Sequence, residues 1–448
     1  MSMLKTFKIG GVHPAPNKLT EKKAIEVAAL PKQAIFPLSQ HIGAPAVPCV
    51  QKGDIVKVGT VIAQPGGFMS ACIHSSVSGK VAKIDSIVDA SGYRKPAIFI
   101  DVDGDEWEES IDRSQDLVTE CGLSQQEIIE KIKNAGIVGL GGACFPSHVK
   151  LCPPKECKID TLIINAVECE PYLTADHRLM LEHADQIVVG VKILLKALAI
   201  DKAVIAIEEN KPDAIELLSQ KTADEPGIEV QPLKMKYPQG GEKQLIDAVT
   251  GRQVPPPPAL PASVGCVVQN VGTVFAVYEA VQKNKPLFER IVTVTGQKVT
   301  NPCNLLVRMG TPVNMLIEHA GGMPEDTSKL LSGGPMMGRP LLNTDVPVVK
   351  GTSGLLMLPE ELAARKEERN CIRCAKCVQA CPMGLEPYLL ATCGEQSDWE
   401  TLEKEMIMSC IECGCCQSSC PSRRPLLDWV RMGKNKVGGI IRSRSAKK

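Results

Sequence analysis

Eight cysteines near the C-terminus constrain this chain more than any other feature. "CIRCAKCVQACP" places Cys371, Cys374, Cys377 and Cys381 ahead of Pro382, and "CIECGCCQSSCP" places Cys410, Cys413, Cys416 and Cys420 ahead of Pro421. Each run reads C-x2-C-x2-C-x3-C-P. Three thiolates at this spacing wrap three corners of an iron–sulfur cubane, and the fourth cysteine crosses to the other cluster. The expected sets are Cys371, Cys374, Cys377 and Cys420 for one [4Fe–4S] cluster, and Cys410, Cys413, Cys416 and Cys381 for the other. Zinc needs one closed tetrahedral set and leaves the x3-C-P endings unexplained. Cys393 and Cys415 are extra thiols, expected to be buried or adjacent rather than ligands.

The chain has 19 cysteines, an odd number, and its first residues lack the apolar core and cleavage site of a signal peptide. Both points favour reduced, metal-binding thiols in a cytoplasm over a disulfide framework. Formal net charge is zero and aromatics are 3% of residues, so no electrostatic or stacking case exists for nucleic acid. The most apolar stretch, "IVVGVKILLKALAI" (187–200), is too short to span a bilayer and carries Lys192 and Lys196. A length of 448 residues exceeds what one core holds, so three or four domains are expected.

Residues 40–90 alternate β-branched residues with tight turns in two similar halves, "QKGDIVKVGTVIAQ" and "IHSSVSGKVAKIDSI". The pattern resembles the barrel-sandwich hybrid of lipoyl and biotinyl domains, without their swinging arm: no lysine lies between Gln64 and Ser78. From Ser124 the period changes. Ser124 and Glu127 have capping-box spacing, Ile128, Ile129 and Ile132 share a helical face, and Gly136 stands at the stop. Buried strands "DTLIINAV", "AVIAIEE" and "IEVQPLKMKY" then alternate with helices, which specifies an open α/β sheet. Ligands of such sheets sit beyond the carboxyl ends of the strands. "VPPPPALP" is an extended crossing or linker. A small β-rich segment with one helix follows, then the cysteines. The tail from Arg431 has seven basic residues and no acid, and is expected to be disordered, solvated or partner-docking.

"GLGGACFP" begins at Gly139. It follows a helix and departs from G-x-G-x-x-G, so it is no dinucleotide fingerprint, and no G-K-[ST] follows to make a P-loop. Its backbone N–H groups are free to approach an anion, with Lys150 downstream. Cys144 has no neighbour at ligand spacing. On these residues alone a packed turn is the favoured reading. Other polar groups gather at strand ends: Asn165, Glu168, Glu170 and Asp176; Tyr237, Gly240, Gly241, Glu242 and Lys243; Gln269, Asn270 and Thr273.

"GLGGACFP", "NAVECEP" and "QNVGT", in that order, resemble the flavin subunit of respiratory NADH:quinone oxidoreductase. "FKIGGVHPAPNK", "PLSQHIGAPAVPCVQKGDIVKVGTVIA" and the cysteine runs resemble the C subunits of Rnf complexes, the ion-translocating ferredoxin:NAD+ oxidoreductases. The resemblance implies a barrel-sandwich hybrid (1–115), an open α/β FMN/NADH-binding domain (116–285), a β-grasp-like SLBB-type domain (286–358), an α-helical two-cluster ferredoxin domain (359–430) and a basic tail (431–448). It implies FMN and NAD(H) held by Gly139, Gly141, Gly142, Ala143, Phe145, Lys150, Asn165, Glu168, Glu170, Tyr237, Gly240, Gly241, Glu242, Gln269, Asn270 and Thr273. It also implies the other Rnf subunits as partners, ferredoxin reached indirectly through them, and a peripheral place on the cytoplasmic face of the membrane. Hydride transfer needs no side-chain acid or base, so no catalytic residue is named. The alternatives are a soluble flavin and Fe–S cobalamin reductase of a microcompartment, and a non-catalytic electron wire.

Chain prepared without oxygen is expected to hold about eight irons with matching acid-labile sulfide. Four irons, or zinc in their place, would overturn the two-cluster assignment.

Overall fold

The computed structural model describes residues 4–445. Strands Gln33–Pro37, Arg94–Val102, Gly79–Val88 and Ile55–Val56 make one small sheet in that order, and Val47–Pro48, Val61–Gln64 and Ile73–His74 make a second. Successive strand residues face opposite ways, so Ala34 and Phe36, with Ile98 and Ile100, enter one core that Ile62 and Val81 complete. This is the expected barrel-sandwich hybrid.

The α/β unit has four parallel strands in the order Ile228–Leu233, Ala203–Glu208, Thr161–Asn165, Cys266–Asn270. Every residue of Ala203–Glu208 is buried, as a strand covered on both faces requires. Ile205 and Ile207 pack toward helices Gln125–Asn134, Ala184–Leu198 and Val271–Gln282, while Val204 and Ala206 pack toward Glu242–Thr250. The first of these helices starts as its sequence dictates. Glu127 N donates to Ser124 Oγ at 3.4 Å, and Ser124 N donates back to Glu127 Oε2 at 2.7 Å. It stops at Gly136, whose φ of +66° favours glycine and where a Cβ would lie 2.4 Å from the Cys72 carbonyl oxygen.

The third unit is a six-stranded sheet in the order Ile25–Val27, Cys303–Arg308, Glu289–Thr295, Gly354–Pro359, Thr327–Ser332, Arg339–Pro340. Helix Val313–His319 covers it through Val313, Leu316 and Ile317. The first strand of this sheet comes from the N-terminal segment. The span 1–115 therefore divides: the barrel begins at Gln33, and the residues before it run as an arm across the other units. Lys5 bridges to Leu233, Val12 pairs with Tyr237, and Gly11 N donates to the Ala380 carbonyl at 3.0 Å.

The cysteine-rich unit consists of short helices packed on Leu426–Ser445. That helix corrects the expectation of a disordered tail from Arg431. Leu426, Val430 and Val437 form a buried stripe at helical spacing against Leu390, Leu402 and Ile407. The stripe is thin and the basic residues between its members mask it. Arg431 and Lys434 pair with Glu412, and Arg444 with Glu403. Residues 446–448 of the tail lie outside the described residues.

Helices Ala184–Leu198 and Val271–Gln282 touch at Gly190, where a Cβ would sit 2.5 Å from the Val274 carbonyl oxygen. Gly190→Val is expected to push them apart and lower stability by about 1–3 kcal/mol, read as a lower urea midpoint with unchanged slope.

Candidate functional site

The chain lays strands Ala203–Glu208 and Ile228–Leu233 successively to one side of Thr161–Asn165, then returns to place Cys266–Asn270 on the other side. The winding therefore reverses between Thr161–Asn165 and Cys266–Asn270, and the crevice beyond that point is where open α/β sheets bind ligands. Asn165 and Asn270 are register partners at the carboxyl ends of these two strands. Asn165 Nδ2 donates to the Gly240 carbonyl at 2.8 Å. Asn270 caps helix Val271–Gln282 by accepting from Gly272 N and Thr273 N, and its Nδ2 donates to Asp176 Oδ2 at 2.7 Å. Burial, then the Glu168 carboxylate, push the Asp176 carboxyl up to about 7.

The glycine loop lies over this crevice. Gly139 N donates to the Phe145 carbonyl at 2.9 Å, closing the loop at its base. Leu140 N donates to Thr273 Oγ1 at 2.9 Å and ties the loop to the helix start. Residues 141–143 form an exposed crest. The amides of Gly141, Gly142, Ala143, Cys144 and Phe145 donate to nothing among the described residues. The glycines differ in what demands them. A Cβ on Gly141 would lie 2.7 Å from Asn270 Nδ2, whereas one on Gly142 would meet nothing within 4 Å. Neither has a positive φ. Gly142 is thus required by nothing in the chain itself, and open backbone with unpaired N–H groups fits an anionic ligand. Gln269 fits it too, being buried with an unpartnered Nε2. Lys150 Nζ reaches the same strand end, donating to Glu242 Oε1 at 2.7 Å and to the Val268 carbonyl at 3.1 Å. Gly241 is the N-cap of helix Glu242–Thr250 and supplies no side chain to its first turn.

Three of the expected residues are occupied elsewhere. Glu168 accepts from Asp176 N and His177 N at 2.8 and 3.2 Å, capping helix Ala175–Glu182. Glu170 is buried against the third unit and accepts from Met336 N and Met337 N. The Tyr237 hydroxyl donates to the Cys413 carbonyl at 2.9 Å, joining the α/β unit to the cysteine-rich unit. Cys144 is buried, and burial pushes its thiol up. Two lysines that were not among the expected site residues complete the site. Lys18 Nζ donates to the carbonyls of Glu168, Glu170 and Leu173, and Lys211 Nζ to that of Val167. Together they hold the "NAVECEP" loop in place. Lys18 closes the "FKIGGVHPAPNK" stretch, but its place far along the chain from the loop it holds hid its role, and Lys211 stands beside an unremarkable strand end.

The cysteines gather in two groups. Burial, then the thiols of Cys410, Cys413 and Cys381, push Cys416 up to about 12. Burial pushes Cys410 up to about 11, with Cys413 and Cys381 adding to it. Cys420 lies beside Cys377, and Tyr388 near both Cys377 and Cys371. Each fourth cysteine is thus near a thiol of the other run, Cys381 near Cys410 and Cys416, and Cys420 near Cys377. Cluster ligands are thiolates, so iron binding here is coupled to proton release. Among the described residues no three His, Cys, Asp or Glu side chains converge where one metal ion would sit. The four cysteines of a cubane bind four different irons rather than converging on one ion, and the C-x2-C-x2-C-x3-C-P spacing of both runs is the donor pattern of a cluster. Cys415 is buried against Tyr237, and Cys393 lies in the core of the cysteine-rich unit.

Residues 132–279 match the Nuo51 FMN-binding domain, 5–105 the RnfC barrel sandwich hybrid domain, 291–340 the SLBB domain, and 369–384 with 407–431 a 4Fe-4S binding domain. Fold, crevice and cysteines define an oxidoreductase component that carries flavin and iron–sulfur centres. The chain is 47% identical over 405 residues to the C subunit of the proton-translocating ferredoxin:NAD(+) oxidoreductase complex of Clostridium ljungdahlii, covering 90% of this chain and 87% of the relative. It is 43% identical to the C subunit of the Na(+)-translocating ferredoxin:NAD(+) oxidoreductase complex of Acetobacterium woodii, covering 96% and 97%. It is 42% identical to the C subunit of the ion-translocating oxidoreductase complex of Rhodobacter capsulatus, covering 97% and 84%. The chain belongs to this family, the C subunits of ion-translocating ferredoxin:NAD+ oxidoreductase (Rnf) complexes.

Gly142→Val separates ligand approach from folding. The variant is expected to match the parent in thermal midpoint and iron content and to lose bound FMN, measured by flavin extraction. Full flavin retention would return the loop to being a turn.

Proposed function

We propose that the chain carries electrons between NAD(H) and the other subunits of its complex along one ordered route. The glycine loop would hold FMN, Cys381, Cys410, Cys413 and Cys416 would hold the nearer cluster, and Cys371, Cys374, Cys377 and Cys420 would hold the cluster at the exit. A bound flavin supplies the exchange between a two-electron hydride and single electrons. The chain's own residues bind and orient. Gly139, Gly141, Gly142, Ala143 and Phe145 give backbone to the ligand, while Asn165, Gly240, Gln269, Asn270 and Thr273 shape the crevice end. Lys150 and Glu242 flank it as an ion pair.

The observation that carries the order is the Tyr237–Cys413 hydrogen bond. It sets one group of cysteines against the strand end that also bears Gly240, with Cys169 between them: Gly240 N donates to Cys169 Sγ at 3.3 Å, and Cys169 packs beside Tyr237 and Cys413. The other group faces outward, with Cys371 and Cys374 exposed. Among the described residues no helix is long and apolar enough to cross a membrane, which supports a peripheral position. We place it on the cytoplasmic face, where NAD(H) is, with ferredoxin reached through the partner subunits.

A Cys371→Ser/Cys374→Ser chain in the reconstituted complex tests the order. NADH is expected to go on reducing the flavin and one EPR-visible cluster, while transfer to the partner subunits stops. Undiminished transfer would overturn the route.

A further inference from the structure

Two cations of the third unit lie buried directly behind the glycine loop. Lys350 is fully buried and Arg290 nearly so. Lys350 Nζ donates to the carbonyls of Gly136 and Cys72, both at 2.6 Å. Arg290 donates through Nη2 to the Leu140 carbonyl at 3.4 Å, through Nη1 to the Lys350 carbonyl, and through Nε to the carbonyl of Ile291. Every acceptor these cations have is a backbone carbonyl; neither has a carboxylate bonded to it. The acids around Arg290 are Asp176 and the Cys144 thiol, and those around Lys350 are the thiols of Cys72 and Cys144. A buried cation with no bound counter-charge is costly, and two such cations share one place. Burial accordingly pushes Lys350 down to about 8.

The geometry of the peptide links them to the crevice. The Leu140 carbonyl faces Arg290, so the amide of the same planar trans peptide, Gly141 N–H, points the opposite way. The amides from Gly141 to Phe145 then follow without partners. Cations behind the loop and unpartnered amides on its crest bias this place toward an anion.

We propose that Arg290 and Lys350 are positioning residues, a cationic backing supplied by the SLBB unit that makes the glycine loop select the negatively charged form of its flavin ligand. The inference rests on the flavin reading above. The negative charge has two sources, the phosphate ester of FMN and the reduced ring, and both are met by the same backing.

The test uses the full-length chain with both clusters, stripped of flavin and titrated with FMN and with riboflavin, which lacks the phosphate. Lys350→Met removes the charge and keeps the volume of the stem. Arg290→Met does so at the second position, so that either variant decides if the other fails to fold. Arg290→Lys keeps the charge. Either charge-removing variant is expected to bind FMN about tenfold more weakly or worse, with Arg290→Lys close to the parent. Loss confined to FMN assigns the backing to the phosphate. Loss shared by both reduced flavins, with a more negative flavin midpoint potential, assigns it to the ring. Folded charge-removing variants that carry both EPR signals, bind FMN as the parent does and keep its flavin potential would overturn the proposal and leave the flavin site standing. A parent chain that takes up no flavin would overturn the flavin reading, and the backing with it.

Discussion

The reversal of winding between strands Thr161–Asn165 and Cys266–Asn270 is the constraint on which the rest of the molecule depends. Two parallel strands whose following segments leave in opposite directions leave a gap at their carboxyl ends that no side chain of the sheet fills. The chain closes the base of that gap with Asn165 and Asn270, spans it with the glycine loop, and brings a helix start to it from each side. Neither strand alone specifies a site; the site is a property of their adjacency.

The other units are attached to this gap rather than merely strung along the chain. The barrel reaches it through the Cys72 carbonyl, the SLBB unit through Lys350 and Arg290, and the cysteine-rich unit through Tyr237. The N-terminal arm then ties the attachments together. It pairs with Tyr237, contacts Ala380, sends Lys18 under the "NAVECEP" loop and finishes as a strand of the SLBB sheet. The arm thus joins the α/β unit, the third unit and the cysteine-rich unit through backbone contacts.

Local signals in the sequence were faithful wherever the physics is local. The capping box at Ser124, the fully apolar strand Ala203–Glu208, the positive-φ stop at Gly136 and the cysteine runs all depend on residues within a few positions of each other. The expected crossing of the fourth cysteines also came from spacing, in the two C-x2-C-x2-C-x3-C-P runs. What escaped were contacts between distant segments. Tyr237 and Glu170 read as ligand groups from their place at a strand end, yet their side chains turn to Cys413 and to Met336. Arg290 and Lys350 sit in a strand and a loop of ordinary composition, and nothing within their own segments marks them. The tail helix was hidden because its apolar stripe is only one residue wide and needs Leu402 and Ile407 to become a core.

Gly10 gives this lacing a further meaning. Its φ is +66°, and a Cβ there would lie 2.4 Å from the backbone carbon and oxygen of Cys381. The arm therefore touches the main chain of a cysteine from one run while, two residues on, it pairs with Tyr237 at the strand end beside the crevice proposed for flavin. Electron tunnelling falls off exponentially with the gap to be crossed. A strap across that gap turns its width from a fluctuating quantity into a dimension of the fold, as fixed as the spacing between two paired strands.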